Sequence, residues 1–212
     1  MTHAVVFDLW STLAYNDSEK SIIREMFGEI GEEPSYENQK VLEKSFMLRR
    51  IETIGEGMKL FCRAFGKSES HVPNLVKLWE SPHPKLFDDV IPSLRRLGKK
   101  YRLGLITNTQ SFLMDFFYKI KFFEEFDYAC LSCDVGLLKP DPEIFRLALR
   151  KLEVKPGEAV MVGDNLHSDV LGAEAVGMRG VLIKRHKKGL GWKELQKWKR
   201  TITSLTELEK FL

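Results

Sequence analysis

The sequence predicts an α/β protein, a doubly wound parallel sheet with an all-helical segment inserted after its first strand. Three observations predict it. Short apolar runs recur through the second half of the chain, helix-spaced segments separate them, and a long stretch after the first run has no strand pattern. With 212 residues, the chain can bury one sizeable core and carry a small accessory unit.

The first element is "AVVF" at residues 4–7, apolar without alternation and so expected to be a strand buried on both faces. Residues 14–86 follow, where "SIIREMFGEI", "NQKVLEKSFMLRRIETI", "MKLFCRAFG" and "VPNLVKLWE" carry helical spacing. Gly31, Pro34, Gly55, Gly66, Pro82 and Pro84 punctuate them. This predicts a strand-free helical cap over 14–86, planted at the mouth of a core built from 1–13 and 87–212 and placed as a lid. The runs at 102–106, 128–131, 159–162 and 180–183 supply four further strands, with helices expected at 90–99, 112–119, 143–152 and 168–176. Five such strands with crossovers make a Rossmann-like core, in which ligands sit beyond the carboxyl ends of the strands at the switch in strand order.

Apolar residues at 43% and charged residues at 30% are ordinary for a globular chain. No stretch approaches the roughly 20 apolar residues that a bilayer demands, and the start has neither a basic region nor a long apolar one, so a cytoplasmic protein is expected. Cys130 and Cys133 form a C-x-x-C inside "DYACLSCDVG". Neither a helix pattern opening at it nor two further ligands at matching spacing is visible in the sequence, which predicts buried thiols. The formal charge of +3 hides a basic segment, residues 184–200, that holds Trp192 and Trp198 and a single acid, Glu194. Such a mixture can bind nucleic acid or an anionic surface, but a solvated loop and helix whose tryptophans cover the core is the simpler reading. Neither nucleic acid nor membrane is therefore expected as a partner, and the oligomeric state is not legible.

Four polar clusters fall at predicted strand ends. Asp8 ends strand one with a charge that must be paired, metal-bound or reactive. Thr107 and Asn108 end strand two, Lys139 follows strand three, and Asp164 and Asp169 follow strand four. Singly, each has an ordinary reading as a helix cap or turn. Their order, in the strings "FDLWSTL", "LITN", "LLKPDPEIF" and "VGDNLHSDVLGA", resembles the haloacid dehalogenase superfamily of hydrolases. The last two strings are similar to its phosphatase-like branch, and the likeness spans core and cap.

The resemblance implies a mechanism that the chemistry of the residues supports. Asp8 would be the nucleophile that forms a covalent aspartyl intermediate. Lys139 would keep it ionised and neutralise charge on the transferring group. Thr107, the Asn108 amide and the following helix start would offer donors to phosphate oxygens, with Thr12 also on the substrate side and its hydroxyl capping the turn. The resemblance also implies Mg²⁺, held by Asp8, the main-chain carbonyl of Trp10 and Asp164, with Asp169 acting at one remove through water. The implied substrate is a small phosphorylated molecule.

One residue departs from that pattern. Phosphatases of the superfamily carry a second aspartate two residues after the nucleophile, which protonates the leaving alcohol and later activates water. Here the position is Trp10, which can do neither. Poor leaving groups should therefore be slow by about 10²–10⁴ unless another group supplies the proton. His167 is one candidate for that work, against a plain turn residue. Arg49 and Arg50, in the insert's second helix, are candidates to reach an anionic substrate, against ordinary surface arginines. Ser11 stands where the superfamily usually has glycine and should crowd the turn. Trp10 also raises the alternative of a 2-haloacid dehalogenase, because halide leaves without a proton; the acidic fourth string, with Gly163, Asp164 and Asp169, argues for metal and phosphate instead. A further alternative is a catalytically weak protein that uses the fold and its basic segment for binding.

Overall fold

Ala4–Phe7 form β1, the strand about which the sheet is laid. The computed structural model of the chain describes residues 1–18, 21–80, 83–185 and 198–212. After β1 come β2 (Ala14–Asn16), four helices α1 (Ile22–Glu29), α2 (Tyr36–Phe46), α3 (Ile54–Ala64) and α4 (Val72–Glu80), and then β3 (Pro84–Leu86). The chain continues through α5 (Val90–Leu97), β4 (Arg102–Thr107), α6 (Asp115–Lys119), β5 (Tyr128–Leu131), α7 (Ser132–Val135) and α8 (Pro142–Leu152). It ends with β6 (Ala159–Gly163), α9 (Gly172–Ala175), β7 (Arg179–Ile183), β8 (Thr201–Ile202) and a 3₁₀ segment, Leu205–Phe211.

Six strands form one parallel sheet in the order β5-β4-β1-β6-β7-β8. From β1 the chain moves outward on one side through β4 and β5, then returns to the other side through β6, β7 and β8. The reversal leaves a crevice at the carboxyl ends of β4, β1 and β6. Side chains alternate across the sheet as the pleat requires. Val5 and Phe7 pack with Leu94, Leu97 and Leu208 on one face, and Ala4 and Val6 pack with Ile144, Phe145 and Leu149 of α8 on the other.

The structure corrects the expected elements in three places. The sheet has a sixth strand, β8, whose two residues are too few to give a sequence period. Residues 14–86 are not free of strand: β2 and β3 pair antiparallel, Ala14 with Leu86 and Asn16 with Pro84, so the helical insertion leaves and re-enters through a two-stranded ribbon. The helices expected at 112–119 and 168–176 are each broken. The first is a 3₁₀ turn, Ser111–Leu113, followed by the short α6. The second opens as a π-helical segment, Leu166–Leu171, capped by the Asn165 side chain, which accepts the amides of His167 and Ser168, each at 3.0 Å.

Between the ribbon strands, Ser21, Ser35 and Thr53 open α1, α2 and α3 by accepting the amides of Arg24, Asn38 and Glu56. The four helices surround their own apolar cluster, with Met26, Phe27, Phe46, Phe61 and Leu75 fully buried. Each such side chain contributes about 1.5–3 kcal/mol by burial. Among the described residues, no helix is long and apolar enough to cross a membrane.

Candidate active site

The sheet brings the sequence clusters together at the crevice. Asp8 follows β1 directly, and its amide donates to Val162 O at 2.9 Å, so the ladder to β6 fixes where the side chain begins. Lys139 arrives from the loop between α7 and α8 and is buried to 3% exposure. Its ammonium donates to Asp8 Oδ1 at 2.5 Å, Asp169 Oδ1 at 2.7 Å and the Ile106 carbonyl at 2.9 Å. Asp169 lies on the π-helical segment, and its other oxygen accepts the Asn165 amide at 3.0 Å. A side chain at position 163 is excluded here, since a Cβ on Gly163 would stand 2.2 Å from Asp169 Oδ2. Asp164 completes a group of three carboxylates, with one oxygen from each of Asp8, Asp164 and Asp169 within 4.8 Å of the others.

Three carboxylates face one ammonium, and the pKa values follow. Burial pushes Asp8 up to about 6, against the attraction of Lys139 and with the repulsion of Asp169. Burial, then Asp8 and Asp169, holds Asp164 well above the usual carboxylate range. Burial works against the Lys139 ammonium, but the two carboxylates it touches outweigh that and keep its pKa above the usual lysine value. The cluster is therefore short of positive charge, and its hard oxygen donors fit a divalent cation such as Mg²⁺.

Among the described residues, two buried hydroxyls have no hydrogen-bond partner: Thr107 Oγ1 and Thr12 Oγ1. Thr12 was expected to cap its turn through that hydroxyl; instead its carbonyl accepts Arg185 Nε at 2.9 Å and the hydroxyl stays unpaired. Asn108 is turned toward the lysine loop. Its Oδ1 accepts the Lys139 amide at 2.8 Å, and its Nδ2 donates to the Lys139 carbonyl at 3.1 Å. Ser11 adopts φ 59°, the left-handed region that favours glycine. The indole of Trp10 donates to Thr109 Oγ1 at 3.1 Å and stands edge-on to Phe117, so it is anchored in the wall.

Above these residues, a cavity of about 780 Å³ separates the sheet from the insertion. Trp10, Asn108 and Asp164 line it from below; Gln39, Glu43 and Trp79 line it from above. Glu43 was missed by sequence reasoning. It is partly buried on α2, accepts Asn108 Nδ2 at 3.4 Å, and burial pushes its pKa up to about 7. Gln39, Glu43 and Met47 form a cavity-facing stripe at helical spacing, which on sequence alone reads as a solvated face.

The other candidates lie elsewhere. His167 is exposed and meets the Tyr36 ring edge-on, with centroids 5.7 Å apart. Arg49 and Arg50 are beyond the end of α2, not within it. Arg50 pairs with Asp134 at 2.8 Å and reaches Tyr118, which ties the insertion to the core rather than to the cavity. Cys130 and Cys133 are free and buried, and burial raises their pKa values to about 11 and about 12, which makes both poor nucleophiles. Of the basic segment, residues 186–197, including Trp192 and Glu194, lie outside the described residues. At its described ends, Arg185 pairs with Asp89 at 2.8 Å, Arg200 pairs with Glu174, and Trp198 donates to the Gly180 carbonyl at 3.4 Å.

A family model described as haloacid dehalogenase-like hydrolase matches residues 2–177. A curated glyceraldehyde 3-phosphate phosphatase of Pyrococcus furiosus is 39% identical over 94 residues, 43% of this chain and 39% of that protein. The chain thus spans about two fifths of the length of the curated relative it matches. Two solved structures superpose over nearly the whole chain. An HAD phosphatase from Thermococcus onnurineus does so with a TM-score of 0.62 and 26% identity, covering 99% of this chain and 97% of that one. A 2-haloacid dehalogenase from Pseudomonas syringae does so with a TM-score of 0.61 and 25% identity, again covering 99% and 97%.

Proposed function

The chain belongs to the haloacid dehalogenase-like hydrolase family, and from that premise we propose that it is a magnesium-dependent phosphatase of small phosphorylated molecules. The observation that carries this reading is the Lys139 ammonium clamped between Asp8 and Asp169, with Asp164 beside them. Three carboxylates with one ammonium repel a phosphate dianion, so phosphate chemistry here needs a further cation. Asp8, Asp164 and the Trp10 carbonyl are the groups that would hold Mg²⁺, with Asp169 acting through water. Bound there, the ion would supply charge neutralisation for the phosphoryl oxygens.

The chain's own residues do the rest. The Asp8 carboxylate attacks phosphorus, the bond to the leaving oxygen breaks, and water then cleaves the aspartyl phosphate to regenerate Asp8. Lys139 holds Asp8 ionised and offsets charge on the moving group. The hydroxyls of Thr107 and Thr12 have no acceptor among the described residues, which supports their use on phosphate oxygens. Asn108 supports Lys139 through its two hydrogen bonds to that residue's backbone. The helical insertion serves as the cap, with residues 14–86 closing over a core of 1–13 and 87–212.

A dehalogenase is the second reading, favoured by the aromatic Trp10 and by the likeness to the Pseudomonas syringae structure. The acidic group weighs against it, because halide displacement needs no added cation. The test is phosphate release from p-nitrophenyl phosphate with Mg²⁺ and with EDTA, beside halide release from 2-chloropropionate, each with Asp8→Asn as control. Metal-dependent phosphate release that disappears in Asp8→Asn supports the phosphatase. Halide release without metal supports the dehalogenase and overturns it.

A further inference from the structure

We propose that Glu43, carried over the site on α2, donates the proton to the leaving oxygen and then accepts one from the attacking water, the work that Trp10 cannot do. This rests on the phosphatase reading above. Glu43 lines the same cavity as Trp10 and Asp164. Among the described residues, the carboxyl groups lining that cavity are Glu43 and Asp164, and Asp164 belongs to the acidic group below, whereas Glu43 lines it from the insertion. Asn108 links it to the reacting centre, since one amide nitrogen donates to both Glu43 Oε2 and the Lys139 carbonyl.

The surroundings suit a group that must both give and take a proton. Burial favours the neutral acid and Asp169 adds to that, while Lys139, the Asn108 amide and Lys40 favour the carboxylate. Lys44 and Asp141 line the hollow on the other side of Glu43. The balance places Glu43 at about 7, where a proton moves in either direction with little cost. His167 does not compete, being exposed against Tyr36.

The steps balance. As the Asp8 oxygen bonds to phosphorus and the bond to the leaving oxygen breaks, that oxygen takes the Glu43 proton and departs as a neutral alcohol. Water then attacks phosphorus and gives its proton to the Glu43 carboxylate, the bond to Asp8 breaks, and inorganic phosphate leaves. The expectation that poor leaving groups are slow would then fail for the native chain, because the proton comes from the insertion instead of the strand.

The experiment compares kcat/KM for phenyl phosphate and p-nitrophenyl phosphate in the native protein, Glu43→Gln and Glu43→Asp, across pH. This ratio reports the first phosphoryl transfer alone, so a slowed second step does not confuse it. Glu43→Gln should lose about 100-fold on phenyl phosphate, the low end of general-acid contributions, and little on p-nitrophenyl phosphate, whose leaving group needs no proton. The fall in rate above neutral pH on phenyl phosphate should vanish in Glu43→Gln and persist in Glu43→Asp. Equal losses on both substrates would mark a merely structural role and overturn the proposal, as would no loss on either. If the native protein releases no phosphate from either ester, the phosphatase reading falls and this inference with it.

Discussion

The floor and the roof of the cavity hold their charges in opposite ways. On the floor, Lys139, Asp8 and Asp169 are buried and bonded to one another, with contacts of 2.5 and 2.7 Å through one ammonium. On the roof, Glu43 has one hydrogen bond among the described residues, at 3.4 Å, and no ammonium in contact to set against its burial. A cluster bonded through one ammonium is held in place and fixes geometry, whereas a carboxyl held by one long hydrogen bond is free to change protonation. The floor therefore suits a group that must stay charged and oriented, and the roof suits one that must exchange a proton.

The largest effect should come from breaking the floor. Lys139→Met leaves Asp8 and Asp169 buried without their cation, and chemical denaturation near neutral pH should register a loss of about 3–5 kcal/mol. That loss should shrink toward pH 5, where the stranded carboxyls take up protons.

A smaller effect of opposite sign should come from the roof. Because the folded state holds the Glu43 proton up to about 7 and the unfolded chain releases it near 4.5, stability from this group is present below 4.5 and lost as pH rises toward 7. Glu43→Gln should remove that dependence and raise stability at pH 8 by about 3 kcal/mol. Thermal unfolding at pH 5 and pH 8 tests this, and an unchanged difference between the two would mean that burial does not govern Glu43. The smallest effect belongs to the seam between the two regions. Arg50→Ala removes an exposed ion pair to Asp134 and should cost about 0.5 kcal/mol in the same unfolding measurement, without altering the pH dependence.

The same contrast explains what the sequence disclosed. Asp8, Thr107, Lys139, Asp164 and Asp169 were legible because strand ends in a doubly wound sheet converge, so local signals in one dimension become neighbours in three. Glu43 was not legible, because a charged residue on an amphipathic helix has the same pattern whether its face meets water or a cavity. Which face α2 turns toward the sheet is decided by the insertion's own core and by the ribbon, and three-residue strands containing Pro84 leave no period to read. The breaks in the helices at 112–119 and 168–176 were hidden for a related reason. Apolar spacing reports the buried face of a helix and not its local pitch, so neither the 3₁₀ turn at Ser111–Leu113 nor the π-helical segment at Leu166–Leu171 leaves a mark in it.

The central place of β1 has a consequence for how the protein is made. Its residues pair with strands that begin at Arg102 and Ala159, so this strand is synthesised well before both of its partners and is completed only once they follow. Until then AVVF is an apolar segment with both edges open, while the insertion's helices have local partners and can assemble at once. Folding should accordingly be slow in its last stage and exposed to aggregation through β1, the usual kinetic signature of non-local parallel pairing. The nucleophile candidate that follows this strand would then be among the last features of the molecule to reach its native surroundings.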